Sequence, residues 1–142
     1  MAVHFVNHET NFLLKKKRTI SNWIKEIVYL HNRRVGSLTI IFTSDPEILQ
    51  INKKFLKHNY FTDVITFDYS DGELLEGDIF ISLDTVLKNS KSFNTTLSDE
   101  LLRVMIHGVL HLLGFDDATD LERRNMHEEE NKSLEVYYSK YE

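Results

Sequence analysis

The segment from Ser98 to Leu113 limits the fold most, because read as a helix it is apolar on nearly every side. Leu101, Leu102, Val104, Met105, Ile106, Val109, Leu110, Leu112 and Leu113 leave it almost no face for water, so it belongs in the middle of a fold. The remaining chain must then supply layers that wrap it. With 142 residues, 42% hydrophobic side chains, one Pro and five Gly, the chain is long enough to do so in one domain without covalent staples. The same composition excludes collagen-like, low-complexity and disordered classes.

Periodicity predicts the wrapping elements. AVHFVN reads as a short strand, and apolar residues recur at helical spacing from about Thr10 to Leu30 (Phe12, Leu13, Ile20, Trp23, Ile24, Ile27, Leu30). SLTIIFTS is β-branched and bounded by Gly36 and Asp45-Pro46, the mark of a strand. Ser44 with Glu47 reads as a capping box with Pro46 in the first turn, opening a helix whose stripe is Ile48, Leu49, Ile51, Phe55 and Leu56. DVITFDYS and GDIFISL read as paired strands joined by a loop around Asp71-Gly72 rather than by a tight two-residue turn. DTVLKNSKSF predicts a short helix, Gly114 ends the central one, and a charged helix runs from about Thr119 to Tyr138. The order β-α-β-α-β-β-α-α-α predicts a single α+β domain over residues 1–142: a small, mostly four-stranded sheet, surrounding helices, and one central buried helix.

The absence of cysteine removes disulfides, thiol catalysis and thiolate metal sites together, so any metal must be held by His nitrogens and carboxylate oxygens. No apolar run reaches the roughly 18–20 residues of a bilayer span, and MAVHFVNHETNFLL lacks the basic-then-apolar order of a secretory signal. The expectation is a soluble, cytoplasmic protein with no membrane partner. Net charge is −5, which argues against general nucleic-acid binding, yet the charge is polarised. Residues 1–60 carry ten Lys/Arg and four Asp/Glu, whereas residues 99–142 carry five and eleven.

Within the buried helix, His107 and His111 stand at i and i+4, so both imidazoles lie on one face about 6 Å apart along the axis. His4 and His8 share that spacing, but in a strand they would be about 13 Å apart and useless to one ion. Gly114 turns the chain so that an acid of the next loop can swing back, and the pattern HxxxHxxGxxD makes Asp117 the third ligand, with Asp116 one position short of it. That is the ligand spacing of the metzincin proteases with two changes: Gly108 stands where their catalytic Glu would be, and Asp replaces the third His. Two His and one carboxylate leave a vertex open, the mark of a catalytic ion such as zinc. The oxygen ligand also admits nickel, manganese or iron.

HGVLHLLGFDD resembles the signature HGxLHLxGxDH of the YbeY family of bacterial endoribonucleases. TDVITF at Thr62–Phe67 and EGDIFIS at Glu76–Ser82 resemble two further blocks of that family, with Asn52 ten residues before Thr62 as in its helix. The resemblance implies a metal site at His107, His111 and the third position. It also implies a small sheet with surrounding helices and cleavage of single-stranded RNA in 16S rRNA 3′-end maturation and ribosome quality control, with the small subunit as partner. Two positions depart from the pattern: Asp117 for the family's third His, and Leu56 for an Arg thought to touch RNA.

Residue by residue, the reading is a metal-dependent endoribonuclease in which His107 and His111 act through a metal-bound water and no DNA partner is expected. A cationic approach would come from Lys15, Lys16, Lys17, Arg18, Arg33, Arg34, Lys53, Lys54, Lys57 and His58, with Lys53, Lys54, Lys57, Arg33 and Arg34 the named RNA contacts. Asp63 and Asp78 are either acceptors for the ligating imidazoles or loop caps, and His127 is a surface residue rather than a fourth ligand. The rivals are an assembly factor with a structural metal and a metalloprotease-like hydrolase.

Overall fold

Alternate residues along Leu74–Ser82 are buried, with Leu75, Ile79 and Ile81 at zero exposure, and this strand and its neighbour Val64–Asp68 carry the central helix. The computed structural model describes residues 1–55 and 64–142. Strands β1 (Ala2–Asn7), β2 (Arg34–Thr43), β3 (Val64–Asp68) and β4 (Leu74–Ser82) form one sheet in the order β1-β2-β4-β3. β1 runs parallel to β2 and β2 to β4, while β3 is antiparallel to β4. Helices α1 (Lys17–Leu30), α2 (Asp45–Phe55), α3 (Leu83–Ser92), α4 (Leu97–Leu112) and α5 (Asp120–Val136) surround it, and a π-helical turn, Tyr137–Tyr141, follows. The architecture is the expected single α+β domain, with a mixed four-stranded sheet and the expected element order. Among the described residues no helix is long and apolar enough to cross a membrane.

α4 is buried as its composition requires, and each fully buried large apolar side chain contributes about 1.5–3 kcal/mol. Its seat on the sheet depends on Gly108: a Cβ there would come within 2.6 Å of Ile79 Cγ2 on β4. The start is capped by Thr96, whose hydroxyl accepts from the Asp99 N–H at 3.0 Å. The end is closed by Gly114 at φ 106°, with the Gly114 N–H bonded to His111 O and the Phe115 N–H to Leu110 O, both at 3.0 Å. That paired arrangement is a Schellman motif, and it sends the chain back along the helix it has just left. α5 then starts at the Thr119–Glu122 capping box. It is locked by Trp23, wholly buried in α1, whose indole N–H donates to Ser133 O at 2.8 Å and whose ring meets Tyr137 edge-on.

Three local expectations need correction. The first helix begins at Lys17 rather than near Thr10: Asn7 Nδ2 donates to Phe12 O and Thr10 Oγ1 to Asn7 Oδ1, so side chains organise a loop that buries Leu14 and sets Phe12 edge-on to Phe42. Leu13 is 75% exposed, which breaks the apparent stripe. β2 starts at Arg34, with Gly36 inside the strand at a shift of register between Val35 and Ser37. The β3–β4 connection is a hairpin whose register persists to an Asp71–Leu74 bridge, leaving only Gly72 and Glu73 at the tip. Polar YSDGE reads as loop because Ser70 Oγ, accepting from the Glu76 N–H and donating to Glu76 O, carries rungs of that ladder.

Replacing Gly108 by Ala should cost about 1–3 kcal/mol by overpacking against β4. Thermal unfolding followed by circular dichroism should then show a midpoint lower by several degrees, and an unchanged midpoint would mean that α4 does not sit this tightly.

Candidate metal centre

A half-buried face of α4 presents two imidazoles, and the loop after Gly114 and helix α5 complete their surroundings. His107 Nε2 and His111 Nε2 lie 3.0 Å apart, and Asp117 Oδ2 is 3.3 Å from the first and 3.4 Å from the second. The Schellman turn at Gly114 is what returns Asp117 to the helix face. Tetrahedral ligands about 2.0–2.1 Å from one zinc ion are separated by about 3.3–3.4 Å, so this triangle fits the coordination edges of such an ion. These three residues are the group among the described residues whose donors could hold a metal. Side-chain exposures of 19%, 21% and 43% leave the triangle open on one side.

The donors are also in the right chemical form. His107 Nδ1 is 2.6 Å from Glu130 Oε2, which fixes the proton on Nδ1 and leaves the Nε2 lone pair facing the triangle. Burial, with the neighbouring His107 adding to it, holds His111 below the ordinary imidazole value of 6.5 despite the opposing pull of Asp117. It is therefore neutral, as a ligand must be, at neutral pH. Burial alone would push the Glu130 carboxyl up, but hydrogen bonds from His107 and Arg103 outweigh it and keep the group ionised, below 4.5. Arg103 Nη1 reaches Glu130 Oε1 at 2.8 Å, and its Nη2 reaches Asn131 Oδ1 at 2.8 Å. A buried carboxylate between an arginine and an imidazole is thus satisfied on both oxygens.

Glu130 was not singled out from sequence. The signal was available: in α5 it lies in the stripe Met126–Glu130–Ser133–Leu134–Tyr137, all buried, where an acid needs a partner. Asp78, the expected alternative, instead accepts from Tyr69 Oη at 3.3 Å, and Asp63 lies outside the described residues. The charge of Asp116 favours the protonated form of His111. His127 is 65% exposed and its Nδ1 is 4.0 Å from Glu130, in accord with a surface position.

The proposed RNA contacts are scattered. Lys53 and Lys54 are exposed in the last turn of α2, and Lys57, His58 and Leu56 lie outside the described residues. Arg34 is paired with Glu73 at 3.1 Å. Arg33 donates to Leu112 O and Gly72 O, tying the end of α4 to the hairpin tip.

The family description Endoribonuclease YbeY matches residues 4–138. The chain belongs to the YbeY family. A Bacteroides thetaiotaomicron protein named Endoribonuclease YbeY is 49% identical over 134 residues, covering 94% of this chain and 98% of the relative. A Parabacteroides distasonis protein of the same name is 42% identical over 136 residues, covering 96% of each. The solution structure of a Thermotoga maritima protein superposes with a TM-score of 0.66 at 29% identity, over 96% of this chain and 90% of that one. Membership agrees with the placement of HGVLHLLGFDD on α4 and its turn, and of EGDIFIS on β4.

If Glu130 orients His107, Glu130→Gln should lower metal affinity by roughly 10–100-fold, read by competition with a chromophoric chelator; unchanged affinity would leave the carboxylate a purely structural part. Because His111 is held below 6.5, bound metal should persist at pH 7 and be released only as pH falls further, a titration that metal analysis after acid dialysis can follow.

Proposed function

We propose that this protein is a metal-dependent endoribonuclease that cuts single-stranded RNA, with His107, His111 and Asp117 as the ligands of one divalent ion. The reading is carried by the convergence of three donor atoms beside an open approach, in a chain whose YbeY-family relatives are named endoribonucleases. Zinc suits the span of the donors, and the Asp117 oxygen also accepts nickel, manganese or iron. When bound, such an ion supplies Lewis-acid polarisation of a phosphoryl oxygen. The residues of this chain position that chemistry. Glu130 holds His107 with its Nε2 lone pair inward, Arg103 keeps Glu130 ionised, and the Gly114 turn presents Asp117. The substrate class is single-stranded RNA and the cellular role is 16S rRNA 3′-end maturation and ribosome quality control, in the cytoplasm and in association with the small subunit.

Openness argues for this reading over an assembly factor with a structural metal, since structural ions are closed in by four protein ligands and here Asp117 is 43% exposed. A peptidase reading lacks its base: residue 108 faces Ile79 on the sheet, where a glutamate has no room.

Metal content by mass spectrometry should fall well below one ion per chain in His107→Ala and in His111→Ala; retention in both would remove the site. Purified, metal-characterised protein should cut single-stranded RNA faster than duplex RNA, and Asp117→Ala should lose at least about tenfold in rate if its oxygen stabilises the transition state by 1.4 kcal/mol or more. Equal cutting by both proteins would point to a contaminating nuclease or to a different ligand.

A further inference from the structure

An endoribonuclease must hold a polyanion, yet the loop that carries Asp117 and helix α5 hold more acids than cations, with Asp116, Asp120, Glu122, Glu128 and Glu129 outnumbering Arg123, Arg124 and Lys132. The binding energy for phosphates has to come from another surface. Residues 1–60 carry the cationic excess, so the question is which of those cations are free to act.

Several cations elsewhere are already neutralised. Arg34, Arg103, Arg123, Lys132 and Lys140 each form an ion pair with a carboxylate. Between the outer edge of β1 and the first three turns of α1 the pattern is different. A groove of about 400 Å³ there is lined by Lys17, Arg18 and Lys25, with Ser21, Asn22 and His4 as neutral hydrogen-bonding groups, and contains no acid. Among the described residues no carboxylate pairs with Lys17, Arg18 or Lys25. The start of α1 adds to the same field, because it has no acidic residue in its first turn and no side-chain cap on Lys16, leaving the positive end of the helix dipole uncompensated. β1 is an edge strand.

A row across the sheet joins the groove wall to the seat of the ligand helix. Phe5, in the groove wall, pairs with Ile40, which pairs with Ile79, the side chain beneath Gly108. That row crosses the core, where Ile40 and Ile79 are wholly buried, so RNA held in the groove would reach the metal centre over the surface.

We propose that the β1–α1 groove is a phosphate-backbone site for single-stranded RNA, with Lys17, Arg18 and Lys25 as its cations. The inference rests on the endoribonuclease reading and identifies where the substrate is gripped away from the site of cleavage. RNA is favoured over a peptide adding to the β1 edge because the wall offers three cations and no anion, and because Lys, a flexible point charge, suits phosphates arriving in varied geometry.

The test is fluorescence anisotropy of metal-loaded protein with a labelled single-stranded RNA of about 20 nucleotides, at several salt concentrations between 50 and 200 mM, with RNA integrity checked on gels. A Lys17→Gln/Arg18→Gln/Lys25→Gln variant should bind roughly tenfold or more weakly at the low-salt end, and its log affinity against log salt should be shallower by about 2, at roughly 0.7 per lost phosphate contact. Lys25→Arg should bind like the parent. A control of equal charge, Lys88→Gln/Lys91→Gln/Arg124→Gln, should leave the slope within about 0.5 of the parent. An unchanged slope in the groove variant, or equal losses in both triple variants, overturns the groove while leaving the endoribonuclease reading standing. Unchanged RNA binding with altered self-association by light scattering assigns the groove to a protein partner and overturns the proposal as well. A parent protein that neither binds nor cuts RNA removes the endoribonuclease reading itself.

Discussion

The hydrogen bond between His107 Nδ1 and Glu130, 2.6 Å long, is the interaction on which the rest of the candidate site depends. It joins α4 to α5, and it decides which nitrogen of His107 is available to a cation. A carboxylate as buried as Glu130 would be costly alone, and Arg103 on its other oxygen removes that cost. The position of α5 that makes this possible is set elsewhere, by Trp23 in α1 donating to Ser133 one turn beyond Glu130. A core tryptophan thus anchors the helix that supplies the partner of a ligand imidazole.

The seat of α4 follows from steric rather than polar constraints. Gly108 removes a Cβ that would hold the helix off β4, and the same residue denies the chain the glutamate of the related protease spacing. One residue thus serves packing and separates two chemistries. At the other end Gly114 closes the helix and returns Asp117 to it. Along α4 and its turn, the distance between a helix that carries two histidines and a three-donor cation site is a matter of two glycines.

Much of this was legible in the sequence. The order of elements, the central position of α4 and the triad His107, His111 and Asp117 follow from helical periodicity and from the meaning of Gly after a helix. Ahead of α1, Phe12 and Leu13 mimic a helical stripe while Asn7 and Thr10 hold a loop. The hairpin tip was misread because side-chain rungs from Ser70 do the work of a strand. Glu130 escaped notice because an acid in a charged helix looks like surface until its neighbours in the buried stripe are counted.

By itself the sequence determined local matters: which segments are helical or extended, which residues have donor atoms, and that two imidazoles share a helix face, all of which depend on spacing along one chain. Tertiary structure decided which carboxylate accepts the hydrogen bond from His107, which cations are spent on ion pairs and which stay free beside β1. The reason is that pairing energy falls steeply with distance and rises with burial. The partners of a charge are therefore fixed by contacts between residues such as Arg103 and Glu130, 27 positions apart, that no periodicity connects.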